Sequence, residues 1–168
     1  NFRAVKNIKN VILIFNNIQK TIPSKLLMIG EGPEKEMAEK LCKELSIDNK
    51  VQFLGNTNQV EKNLCHSDLF LLPSNTESFG LAALEAMASK VAVISSNAGG
   101  LPELVEDGKS GFTCDVGDIE SMSNKAITIL NKSNLQDFKE SAFERAKKFD
   151  VNIILPLYIN YYNEILRK

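Results

Sequence analysis

The sequence predicts an α/β domain: a doubly wound, Rossmann-like sheet of parallel strands with helices on both faces. Short apolar runs of four or five residues alternate with stretches whose apolar residues recur at helical spacing. Such alternation implies parallel β-α units with both sheet faces covered. The size agrees, since 168 residues at 43% hydrophobic and 24% charged suit one globular domain with its own core. Crossovers between parallel strands are right-handed, and ligands of such sheets bind outside the carboxyl ends of the strands.

Each element has its own signal. Ile8, Val11, Ile12, Phe15, Ile18 and Ile22 keep helical spacing until Pro23 stops the pattern. Lys25 to Ile29 is a short buried strand ending at Gly30-Glu31-Gly32-Pro33. Pro33 suits a first helical position, and Met37, Leu41 and Leu45 continue one face. Val51 to Leu54 is a strand closed by Gly55, and Val60 and Leu64 support a short helix. Leu69 to Leu72 is a strand ended by Pro73. Leu81 to Ala88 is helical, Val91 to Ser95 is a β-branched strand, and Gly99-Gly100-Leu101-Pro102 opens a short helix. After a turn at Glu106-Asp107-Gly108 come the last strand, Gly111 to Cys114, and a helix to Leu130 capped by Asp118. Two helices close the chain, Leu135 to Lys148 and Asn152 to Arg167. On the last, Tyr158, Ile159, Tyr161, Tyr162, Ile165 and Leu166 form an apolar stripe expected to dock on this domain, the alternative being packing on a domain outside this sequence.

Composition excludes several functions. Twenty basic residues against twenty-one acidic give a net charge of −1, so no nucleic-acid partner is implied. The cysteines, Cys42, Cys65 and Cys114, form no C-x-x-C pair and suit a reducing, cytoplasmic setting. No apolar run approaches the roughly 20 residues of a membrane span. The only histidine, His66, is expected at a helix end, so neither a triad nor a histidine metal site can be assembled around it. The chain opens Asn1-Phe2-Arg3, without methionine and just ahead of a helical pattern, and a preceding strand or domain is expected.

The chemistry gathers at the carboxyl-end loops. Ser74-Asn75-Thr76-Glu77-Ser78-Phe79-Gly80 follows one strand and leads into a helix of Ala, Leu and Met. A helix apolar nearly all round is expected to be buried, with its free N–H groups aimed at the binding crevice. Gly80 would let a phosphate or hydroxyl approach the backbone. Glu85 on that helix is then a carboxylate costly to bury without a partner. Either a Lys or backbone donor across the helix or the hydroxyls of a ligand would satisfy it. Gly99-Gly100 places a second flexible loop at a helix amino end, while Gly30-Glu31-Gly32 is too short for a dinucleotide fingerprint. Arg3 and Lys6 are the cations nearest the crevice, and arginine suits bidentate anion recognition.

Together these segments resemble one family. Glu77-Ser78-Phe79-Gly80-Leu81-Ala82-Ala83-Leu84-Glu85 matches the E-x7-E signature of the GT4 retaining glycosyltransferases. Val51 to Gly55, Ser67 to Ser74, Gly99 to Glu103 and Asp107 to Phe112 match other segments in family order. The resemblance covers essentially the whole chain. It implies the carboxy-terminal, nucleotide-sugar-binding half of a two-domain GT-B fold, residues 1–168 forming one domain with a terminal helix over 152–168. Within the family, Asn1 to Lys6 and the Glu77 to Glu85 stretch resemble the branch that transfers N-acetylglucosamine from its UDP derivative to L-malate. Rival readings are a GT4 transferase with another sugar or a glycan or lipid acceptor, and a non-catalytic nucleotide-binding module.

The resemblance also implies roles. Arg3 and Lys6 contact the donor diphosphate and stabilise the leaving UDP, and Glu77 binds sugar hydroxyls. Backbone N–H groups of Ser78, Phe79, Gly80 and Leu81 reach the sugar and phosphates, and Glu85 accepts from the ribose. Leu54 lies where the family's chain passes the base, and Gly30 and Gly32 keep their loop low beside the diphosphate. No cofactor or metal is implied, and the sequence has no Asp-x-Asp motif. The implied partners are a UDP-sugar and an amino-terminal acceptor domain. One departure concerns Ala88-Ser89-Lys90-Val91, which lacks the glycine and proline usual there, so this loop is expected to bend differently.

Overall fold

A computed structural model describes residues 1–167. Helices α1 (Ile8–Thr21), α2 (Lys35–Glu44) and α3 (Val60–Cys65) alternate with strands β1 (Leu26–Ile29), β2 (Val51–Gly55) and β3 (Leu69–Leu72). Then follow α4 (Leu81–Ala88), β4 (Ala92–Ser96), α5 (Leu101–Leu104), β5 (Gly111–Cys114), α6 (Ile119–Leu130), α7 (Leu135–Lys147) and α8 (Val151–Leu166). Every predicted element is present, with bounds moved by a residue or two. The largest shift is at α2, where Pro33 lies in a turn ahead of the helix rather than inside it.

All strand pairings are parallel, and they form two ladders, β1-β2 and β3-β4-β5. β4 is central in its ladder and is buried from Ala92 to Ser96. Helix α1 ties the ladders together because its apolar residues occupy more than one face. Ile8, Ile12 and Phe15 pack with Met28, Ala38, Cys42 and Val51, whereas Ile14 and Ile18 pack with Ala92, Ile94, Met122 and Ile129. A third cluster joins Ala83, Ala86 and Met87 of α4 to Val93, Leu101, Leu104, Ala142 and Ala146.

Local chemistry sets the ends. The Asp118 carboxylate accepts from the Ser121 N–H at 3.0 Å, as the sequence predicts for a cap. His66 closes α3, its Nδ1 2.7 Å from the Lys62 carbonyl. The loop after α4 turns through Lys90 at φ 59°, the left-handed conformation a glycine would favour. Lys90 thus takes the strain itself, and its ammonium bonds Glu140 at 2.9 Å.

Helix α8 departs from expectation. Its apolar stripe does not dock on this domain: Tyr158, Ile159, Tyr161, Tyr162 and Ile165 are all at least half exposed, and Leu166 is 83% exposed. The core surface next to it is already taken by α7, whose Ala142 and Ala146 pack with α4, and by Phe149, edge-on to Phe79 at 5.7 Å. Lys168, the last residue of the predicted helix, lies outside the described residues. No described helix is long and apolar enough to cross a membrane.

The thiols give a test of the fold. Cys65 is exposed, whereas burial raises the Cys114 thiol and pushes Cys42 up to about 11. A thiol reagent at pH 8 should therefore titrate one cysteine rapidly in the native protein and all three after denaturation. Fast labelling of Cys42 without denaturant would contradict this packing.

Candidate functional site

The carboxyl ends of both ladders meet at residues 1–7. Phe2 is buried, at 1% exposure, against Met28 and Phe53. Its N–H donates to the Glu31 carbonyl at 3.0 Å, and its carbonyl accepts from Glu34 at 3.0 Å. Gly32 permits this approach, because a Cβ there would lie 2.5 Å from the Phe2 oxygen. Gly30 is pinned from the other side, its N–H donating to the Gly55 carbonyl at 2.8 Å. The predicted Gly30-Gly32 loop thus lies against the segment that carries Arg3 and Lys6.

The chain then makes one 3-10 turn, Ala4–Lys6, and enters α1 through Asn7 at φ 54°, ψ 51°. Asparagine tolerates that left-handed conformation better than most residues. This turn is bonded to the loop after β3. The Asn75 N–H donates to the Val5 carbonyl at 2.8 Å, Asn7 Nδ2 donates to Asn75 Oδ1 at 3.0 Å, and Lys6 Nζ donates to Glu77 Oε2 at 2.6 Å. The Lys6 and Glu77 side chains are 25% and 13% exposed, so the ion pair is largely shielded from solvent. Two of the predicted catalytic residues, 71 positions apart, therefore satisfy each other. Arg3 is exposed beside them, and its guanidinium has no partner among the described residues.

The Glu77 loop is also held from below. Ser96 Oγ donates to the Ser74 carbonyl at 2.5 Å, and the Gly100 N–H donates to the Glu77 carbonyl at 3.3 Å. Gly99, at φ 58°, makes the closest approach: a Cβ there would stand 1.6 Å from the Glu77 carbonyl oxygen. The predicted Gly99-Gly100 loop thus packs directly under Glu77 and Ser78.

Helix α4 follows, and one expectation about it fails. The helix is not buried all round: Ala83, Ala86 and Met87 face the core, while Leu81 is 65% exposed and Glu85 is exposed. An eight-residue helix lying against one side of a core has an outer face whatever its composition, and Leu81 and Glu85, four apart, share that face. Glu85 therefore bears no burial cost, and among the described residues its carboxylate has no hydrogen-bond or ion-pair partner. The amino end of α4 begins at Gly80, which has no side chain to cap it: the Ala83 and Leu84 N–H groups donate to the Gly80 carbonyl at 2.9 and 3.0 Å, and those of Leu81 and Ala82 are left uncapped among the described residues. Phe79 contributes only backbone here, since its ring turns inward to Phe149. Leu54 is half-buried at the end of β2.

The site therefore has two cations, two carboxylates and a helix amino terminus at the carboxyl ends of parallel strands. Such a surface can hold an anion and accept hydrogen bonds from hydroxyls on the same molecule. Residues 1–148 match the family described as glycosyl transferases group 1. This chain belongs to that family. It is 38% identical over 172 aligned residues to N-acetyl-alpha-D-glucosaminyl L-malate synthase of Bacillus anthracis, covering 99% of this chain and 44% of that protein. It is 30% identical to the sulfoquinovosyl transferase SQD2 of Arabidopsis thaliana over 84% of this chain and 28% of that one. Among solved structures, TarM of S. aureus, crystallised with UDP, superposes with a TM-score of 0.87 at 26% identity, over 95% of this chain and 33% of its own. HepE of Anabaena, crystallised with UDP and glucose, gives 0.84 at 25% identity, over 96% and 46%. The fold is that of a GT-B glycosyltransferase domain, and this chain spans less than half the length of the curated relatives named here.

Asn7 and Asn75 were not singled out by the sequence. Asn7 carries a weak signal, an asparagine just before a helical run, but nothing local marks Asn75 as its partner.

The Gly99 contact gives a direct test. Gly99→Ala should destabilise the domain by at least about 2 kcal/mol, since the new methyl can be placed only by moving the Glu77 backbone. Denaturant midpoints measure this, and an unchanged midpoint would show that the two loops are not packed as described.

Proposed function

We propose that this domain binds a UDP-sugar and presents it for retaining transfer, and that the whole protein moves N-acetylglucosamine from its UDP derivative to L-malate. The observation that carries this reading is the juxtaposition of Lys6 with Glu77 at the amino end of α4, with Arg3 alongside. The 38% identity to the malate synthase supports the donor and acceptor, and the UDP complexes of TarM and HepE support the nucleotide.

In this reading Arg3, Lys6 and the first-turn N–H groups of α4 hold the diphosphate. Glu77 accepts from sugar hydroxyls, Glu85 accepts from the ribose, and Leu54 lies beside the base. Gly30 and Gly32 keep the neighbouring loop clear of the phosphates. During transfer the bond from the anomeric carbon to the β-phosphate oxygen breaks, and its electron pair leaves with UDP. The acceptor hydroxyl bonds to the same face of that carbon and passes its proton to the departing phosphate oxygen. The cations and the helix end oppose the charge building on that oxygen, an electrostatic contribution to the barrier. Malate is a dianion, and the basic residues of this site are committed to the diphosphate. An amino-terminal domain would supply the acceptor site and, on closing, exclude water. The unpaired thiols suit a cytoplasmic setting.

UDP at one hundred times its dissociation constant should add about 2.7 kcal/mol of stability, a melting shift of several degrees. Glu85→Gln should weaken UDP by about 1–3 kcal/mol and leave the unfolding midpoint almost unchanged. Loss of stability with normal UDP binding would make Glu85 a structural residue instead.

The 168-residue chain should transfer no sugar by itself. The full-length protein should convert UDP-N-acetylglucosamine and L-malate to a product identified by mass. Transfer to a lipid or glycan with malate inert would overturn the acceptor while leaving the donor reading intact.

A further inference from the structure

From the bonds that residues 1–7 make to both ladders, we infer that Asn7 and Asn75 are positioning residues that fix the Arg3 and Lys6 cations relative to Glu77. The inference rests on the UDP-sugar reading above. The β1-β2 and β3-β4-β5 ladders share no strand pairing, so the loops at their carboxyl ends need another connection to hold a common geometry. Residues 1–7 provide it. Phe2 fastens them to the Glu31 and Glu34 backbone, and the turn at Ala4–Lys6 is fastened to the β3 loop by Val5, Lys6 and Asn7.

Two of those three fastenings use no group assigned to the ligand, and the third is the Lys6–Glu77 pair, both of whose members are assigned to it. Lys6 has further N–H groups for a phosphate and Glu77 a further oxygen for a hydroxyl, so the geometry of their pair is shared with the ligand. The other two bonds are the Asn75 N–H to the Val5 carbonyl and the Asn7 amide to the Asn75 side chain. The second is the only other side-chain bond, among the described residues, between the turn and the loop. Asn7 also sets the left-handed turn into α1, so its side chain leaves the backbone in a direction fixed by the helix. Without this bond Arg3 and Lys6 sample positions a diphosphate cannot use, and the nucleoside end of the ligand is unaffected.

The test uses the 168-residue chain with UDP and uridine as probes, measured by calorimetry and by NMR titration. Asn7→Gly keeps the left-handed conformation and removes the donor. Asn75→Ala removes the acceptor and keeps the backbone bond. Each should weaken UDP by about three- to tenfold, as expected for loss of one hydrogen bond, and leave uridine affinity and the unfolding midpoint unchanged. The double variant should be no weaker than the weaker single variant, because both remove the same bond. Unchanged UDP affinity in the variants, or equal losses for UDP and uridine, would overturn the positioning role. Failure of the unsubstituted chain to bind UDP would overturn the donor reading itself, and this role with it.

Discussion

The backbone of Phe2 both donates to and accepts from the loop that follows β1, at Glu31 and Glu34, and a few residues later the same segment is hydrogen-bonded to the loop after β3. Burial of the Phe2 ring makes this arrangement stiff, since withdrawing it would expose the side chain and leave backbone groups unpaired together. Helix α1 starts from the same segment and sends apolar residues into the cores on both sides. Core packing therefore sets where the cationic segment runs, and the hydrogen bonds from that segment to the loop after β3 set its position relative to the carboxylate.

In the free protein the Lys6–Glu77 pair closes the site on itself. A cation and a carboxylate that face each other at 2.6 Å in a partly shielded setting limit the rotamers of both. Under the donor reading, a ligand offering both phosphate charge and hydroxyl donors can engage both members of the pair at once, which a bare phosphate cannot.

Most of the fold was legible in the sequence because each strand is a short apolar run and each helix keeps its period. The misreadings share a physical origin. Apolar composition does not by itself mean burial: α4 has an outer face carrying Leu81 and Glu85, and the tyrosines and isoleucines of α8 are largely exposed. The loop after α4 lacks the family's glycine and proline, and Lys90 there takes a left-handed conformation. The glycines at 30, 32, 80, 99 and 100 stand out in the sequence, and each lies where a neighbouring residue leaves little or no room for a side chain, a constraint that restricts residue choice locally. Contacts such as Asn7 with Asn75 depend on two distant loops meeting, and neither residue type nor spacing encodes that.

The outward face of α8 has a consequence for the domain as a physical object. Its apolar side chains lie in water on a protein whose formal charge is only −1, so little electrostatic repulsion opposes contact between molecules. A second molecule, or another part of a longer protein, can cover that helix without disturbing the three core clusters, none of which includes its side chains.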